Sequence, residues 1–145
     1  MMKRSLILLV LSTCLLNACQ PNASLSFSKT TGDRLAKEEQ SFFTSVRKES
    51  GVHIYHNEQS NSVFVYLNDY AIDQGESAHR FNHFNVEAAG NELHLSFETD
   101  TTTDYPSEME NQLFYEVRLD KEYDTIRLFN NGDEIAFNTI SGNLE

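Results

Sequence analysis

The sequence predicts a mainly β protein: a single antiparallel meander of seven or eight strands, closed as a barrel or folded as a sandwich, with one N-terminal helix packed on it. Three observations lead there. The apolar period changes from helical to alternating at Val52, short alternating runs then recur at near-regular spacing, and two turn dipeptides, Gly90-Asn91 and Asn131-Gly132, fix hairpin registers. Sequential hairpins favour up-and-down order over long crossovers.

The elements start with a leader. Lys3 and Arg4 precede an apolar stretch from Ser5 to Leu16, the basic-then-apolar order of a secretory signal. It falls short of the roughly 20 apolar residues that a membrane-spanning helix requires. Leu16-Asn17-Ala18-Cys19 then places a small residue directly before a cysteine and an aliphatic one three before it. This pattern resembles the lipobox of bacterial lipoprotein precursors, and the resemblance implies thioether lipidation of Cys19 and cleavage between Ala18 and Cys19. An ordinary signal peptide that leaves Cys19 a free thiol is the alternative. The resemblance further implies a partner, the membrane through a lipid anchor, and a location at the cell membrane on its extracytoplasmic face. Gln20 in place of aspartate favours the outer membrane if the host is Gram-negative. The expected organisation is a signal peptide at 1–18, a lipid-anchored flexible tether at 19–31 and a single β-rich domain at 32–145.

Charge narrows the function classes. The chain carries a net charge of −11, and removal of Lys3 and Arg4 with the leader would take it to −13. Such a balance argues against nucleic acid and against lying flat on anionic lipid, both of which need clustered Lys and Arg. Cys14 falls in the leader and Cys19 is the lipid site, so no pair remains for a disulfide. The core must then be apolar packing alone, to which ten Phe and six Tyr contribute, without Trp.

Along the expected mature chain, residues 20–31 mix Pro, Asn, Ser and Thr without apolar periodicity and read as the tether. Residues 33–50 read as a helix: Asp33 accepts from the first free amides, Leu35, Phe42, Phe43 and Val46 share a stripe, and Gly51 supplies the stop. Residues 52–58 and 62–68 flank a polar turn, and Val63 to Leu67 is apolar on both faces, as in a central strand. The stretch 69–80 holds at most one short strand, around Tyr70 to Asp73, and otherwise reads as a rim or lid. A turn at Gly90-Asn91 pairs Ala88 with Leu93, Val86 with Leu95, Phe84 with Phe97 and His83 with Glu98. A turn at Asn131-Gly132 pairs Leu128 with Ile135 and Ile126 with Phe137, and 113–119 supplies one more alternating strand.

Candidate chemistry is sparse. His79 and His83, four apart, share a face in helix or strand, but zinc needs three or four converging ligands, and His94 would lie roughly 13 Å from His83 at about 3.3 Å per residue. Surface histidines paired with carboxylates are the plainer expectation, and neither a metal nor a cofactor is expected. Glu98, Asp100, Asp104, Glu108 and Glu110 gather oxygens of the kind calcium prefers, without the spacing of an EF-hand loop. No G-x-S-x-G elbow or glycine-rich phosphate cradle occurs, although paired carboxylates of a cell-envelope hydrolase need not be close in sequence. The primary expectation is a tethered, non-catalytic binding or interaction domain, meeting an envelope protein or a small ligand. A helical segment before a run of strands over residues 33–139 is also similar in architecture to the lipocalin or calycin group. That likeness implies a barrel carrying a small apolar ligand, in a cavity lined by residues such as Phe64, Phe84, Phe97 and Tyr115.

Overall fold

Seven consecutive buried residues, Ser62 to Asn68, form the strand around which the protein is built. A strand buried on both faces needs a layer on each side, and the computed structural model, which describes residues 23–70, 77–102 and 111–142, shows both layers. The described elements are β1 (Ser26–Thr30), a 3-10 turn (Gly32–Arg34), α1 (Lys37–Ser45), β2 (Gly51–Asn57), β3 (Ser62–Asn68), β4 (Ala78–Ala89), β5 (Glu92–Thr102), β6 (Gln112–Arg118), β7 (Thr125–Asn130), β8 (Asp133–Ile135) and β9 (Thr139–Gly142). One sheet has the order β1-β6-β3-β2-β9 and the other β4-β5-β7-β8.

On one face of β3, Val63, Val65 and Leu67 pack with Phe84, Leu93, Leu95, Phe97 and Leu128 of the second sheet. On the other face, Phe64 and Tyr66 pack beneath Leu35, Phe43 and Val46 of the helical segment. Tyr66 and Phe114 stack with ring centroids 4.2 Å apart, and Phe43 meets both edge-on at 5.6 and 5.4 Å. Such contacts add about 0.5–1.5 kcal/mol each beyond the area they bury.

Buried polar groups hold the helix in place. Near its start the Glu39 carboxylate, 2% exposed, accepts from the Ala36 amide and from the Asn57 side chain at the end of β2. Beyond its end the Asn68 side chain, 1% exposed, donates to the carbonyls of Arg47 at 3.0 Å and Glu49 at 2.8 Å, and accepts from Gln112 at 3.1 Å. His53 donates from Nε2 to the same Glu49 carbonyl at 2.9 Å, the only direction a carbonyl allows. Carbonyls of the segment between the helix and β2 are thereby satisfied inside the protein.

The topology corrects the expected meander and barrel. β9 runs parallel to β2, β7 runs parallel to β5, and β6 sits between β1 and β3, so the sheets are mixed. Neither sheet closes on itself: β1, β9, β4 and β8 remain edges. The likeness to a calycin barrel fails on this point. Local turn chemistry encodes hairpins, whereas the chain crosses from sheet to sheet after β3, β5, β6 and β8, and those crossings have no local signature.

The local expectations are corrected in four places. The helix is shorter than 33–50; Asp33 lies in the 3-10 turn, where a bond from the Thr31 side chain holds its carboxyl below the usual carboxylate range, and the helix cap is Ala36. Part of the expected tether is β1, whose Phe27 packs edge-on against Phe84 at 5.3 Å. In the β4–β5 hairpin the register runs as its turn dictates from Ala88–Leu93 to Asn85–Ser96, then slips so that Asn82 faces Glu98. His83, at φ 51°, sits in the bulge that causes the slip, and the expected His83–Glu98 and Phe84–Phe97 ladder pairs are lost. In the β7–β8 hairpin Leu128 faces Ile135, but the ladder stops there, and Ile126 does not pair with Phe137 because the chain turns away toward β9.

Replacing Asn68 by Ala leaves the Arg47 and Glu49 carbonyls without their side-chain donor. Urea unfolding of Asn68→Ala is expected to show a loss of about 2 kcal/mol, whereas an unchanged midpoint would contradict the assigned role of Asn68.

Candidate functional site

Two chain crossings shape the most prominent concavity among the described residues. Residues 119–124 carry the chain from β6 in one sheet to β7 in the other, and residues 136–138 carry it back from β8 to β9. Between them lies an open groove of about 770 Å³. Its floor is Ile54, Leu93, Leu119, Ile126, Phe137 and Ile140, and its polar groups include His56, Glu58, Asn61, Glu122, Tyr123 and Asp124.

Asparagines fix the walls. Asn61, at φ 50° in the β2–β3 turn, accepts the Leu119 amide at 3.0 Å and donates its side chain to the Leu119 carbonyl at 2.9 Å. Asn91, in the β4–β5 turn, accepts the Asp124 amide at 2.9 Å and donates to an Asp124 carboxylate oxygen at 3.1 Å. Asn138 donates its amide to the Val52 carbonyl at 2.8 Å and accepts the Val52 amide on its side chain, also at 2.8 Å. Asparagine tolerates the left-handed turn conformation and offers an amide edge like that of the backbone, so each loop is tied to a strand end by reciprocal bonds.

The remaining wall depends on two glycines. Gly142 of β9, at φ 107°, lies so close to β2 that a Cβ would stand 2.1 Å from the His56 carbonyl oxygen. Gly51, at φ 131°, leaves room for the Asn138 side chain, which a Cβ would meet at 2.0 Å. Tyr123 donates its hydroxyl to Asp120 at 2.7 Å, and partial burial together with that bond pushes its pKa up to about 12. His56 Nδ1 is buried and has no hydrogen-bond partner among the described residues.

The residues singled out in the sequence lie elsewhere. Cys19 falls outside the described residues, as do Asp104, Glu108, Glu110 and most of the stretch Tyr70 to Asp73. His79 approaches Asp69 at 3.4 Å, His83 approaches Glu98 at 3.9 Å and His94 approaches Glu92 at 3.1 Å, so each of these histidines lies beside a different carboxylate. Among the described residues no group of three or more His, Cys, Asp or Glu side chains could hold a metal ion. Asp100 pairs with Asn82 at 2.7 Å and Arg80 at 3.8 Å. The four aromatic residues expected around one cavity do not share one. Phe64 faces the helix, Phe84 stacks on Tyr115 at 4.0 Å and Phe97 meets Phe81 edge-on, all within packed layers.

The groove residues carried no signal of their own in the sequence. Glu58 reads as the end of the strand at 52–58, Glu122 and Asp124 fall in no expected element, and Leu119, Ile126 and Phe137 read as ordinary strand residues. Compared with known proteins, the chain matches no family model, no curated protein and no solved structure.

Two tyrosines report on the packing around these layers. Burial raises Tyr66 to about 12, as it does Tyr123, above the ordinary value near 10. Folding favours their neutral forms, so this stabilisation is intact below pH about 10 and fades as the pH rises toward 12. Alkaline difference spectroscopy should show a late-ionising tyrosine fraction to which Tyr66 and Tyr123 contribute. The late fraction should shrink in Tyr66→Phe and again in Tyr123→Phe; a curve unaltered by either change would contradict their burial.

Proposed function

We propose that the protein is a membrane-tethered lipoprotein, held by fatty chains on Cys19 at the extracytoplasmic face, whose β domain is a non-catalytic binding module. Its ligand lies in the groove between the two crossings. The observation that carries the binding reading is the groove itself, about 770 Å³ with an apolar floor and polar groups at its mouth. Ligand sites have this character: concave, largely apolar and provided with a few polar groups that orient the occupant.

The tether rests on the lipobox resemblance at Leu16-Asn17-Ala18-Cys19. Among the described residues no helix is long and apolar enough to cross a membrane. Each lipid methylene that enters a bilayer contributes about 0.8 kcal/mol, and two chains hold where one exchanges. β1 begins at Ser26, a short distance in sequence from Cys19, so the module is held close to the surface.

Two measurements test this reading. Cys19→Ser should abolish incorporation of labelled palmitate and release the protein from the membrane fraction; unchanged labelling and fractionation would remove the tether. Nile red, a neutral apolar fluorophore, should bind the parent protein and bind at least tenfold more weakly to Ile140→Trp, which adds bulk to the groove at a half-exposed position. Phe27→Trp, on the distant edge strand β1, should bind as the parent does. Equal binding by all three proteins would remove the groove as the site.

A further inference from the structure

The charge at the mouth of the groove defines the chemistry of its occupant. We infer that the groove takes an amphipathic cation: an apolar body seated on the floor, with an ammonium or similar positive group at the mouth. This inference rests on the groove being the binding site.

Three carboxylates line the groove, on Glu58, Glu122 and Asp124, and no lysine or arginine does. All three residues are exposed, so their charges face the entrance. Among the described residues neither Glu58 nor Glu122 has an ion pair, and Asp124 gives one oxygen to Asn91. Neither of the two neighbouring cations lines the groove: Arg127 is directed away, and Lys121 is held at its edge. The alternation of β7 sends Ile126 and Leu128 inward and Arg127 to the outer face, where it pairs with Glu92 at 3.3 Å and Glu134 at 3.4 Å. Lys121 reaches back to the Gly90 carbonyl at 2.6 Å.

Lys121 also shows what this surface attracts. Its ammonium lies 5.1 Å from the centroid of the Tyr123 ring, within the range of a cation–π contact, and Tyr123 lines the groove. Around these groups the chain's net charge of −11 draws cations and repels anions. A fatty acid or other anionic amphiphile fits the floor but meets three carboxylates at the mouth. A cation with the same tail replaces their water with an opposite charge.

Three probes with one tail separate the contributions: dodecyltrimethylammonium, dodecyl maltoside and dodecyl sulfate, titrated calorimetrically below micelle formation into the purified protein. The ammonium should bind about tenfold or more tightly than the neutral probe, and the sulfate most weakly. In the triple variant Glu58→Gln, Glu122→Gln, Asp124→Asn the ammonium and neutral probes should converge to within about twofold, with the neutral affinity unchanged. Neutralising Glu98 and Asp100, on the distant half of β5, should leave the preference intact. The exposed positions of the three rim residues allow each substitution to be measured singly as well. A neutral probe that binds as tightly as the ammonium, or a preference that survives the triple variant, overturns the cation inference and leaves the groove reading standing. If none of the three probes binds, the groove reading itself fails and takes the inference with it.

Discussion

The double burial of β3 is the constraint from which the rest of the architecture follows. Its odd-numbered residues Val63, Val65 and Leu67 and its even-numbered residues Phe64 and Tyr66 are both excluded from water, so neither face of the sheet can be left to solvent. One requires the second sheet and the other requires the helix. The polar residues of the strand occur at its ends: Ser62 at the turn and Asn68 where the Arg47 and Glu49 carbonyls need donors. A central strand that recruits both layers also fixes its neighbours, β2 by a four-residue turn and β6 by a distant antiparallel ladder. Two of the four margins are short: β8 and β9 have only three and four residues.

The groove is a consequence of that shortness. A sandwich whose marginal strands end early leaves the interior accessible between its crossings, unless the loops collapse into the gap. Here they do not, because Asn61, Asn91 and Asn138 each hold a loop to a strand end through main-chain and side-chain bonds. The apolar floor is therefore continuous with the core, and of the carboxylates at its mouth Glu122 and Asp124 are placed by the β6–β7 crossing and Glu58 by the β2–β3 turn. The core and the groove share Leu93, Leu119 and Ile126.

Legibility from the sequence followed sequence distance. β3 could be read because its apolar run lacks the polar alternation of a one-sided strand, and the Asn131-Gly132 turn set Leu128 against Ile135 from four residues alone. The β4–β5 register was readable as far as Asn85 and then failed at His83, because a bulge inserts one residue without any glycine to mark it. β1 was hidden in a polar stretch whose strand character comes from β6, more than eighty residues away. The parallel pairs β2–β9 and β5–β7 likewise have no local determinant. The groove was illegible for a related reason: Ile54, Leu93, Leu119 and Phe137 come from four separate segments, and each alone reads as ordinary core.

Native-state hydrogen exchange tests the role of β3 most directly, since amides that open only on global unfolding mark the part on which the fold depends. The amides of Val63 to Leu67, with those of β6 opposite them, should exchange most slowly and with one common free energy. Those of β8 and β9 should exchange much faster. If β3 exchanged as fast as these marginal strands, or if the β4–β5 hairpin stayed protected after β3 had opened, the fold would not depend on the two-faced strand.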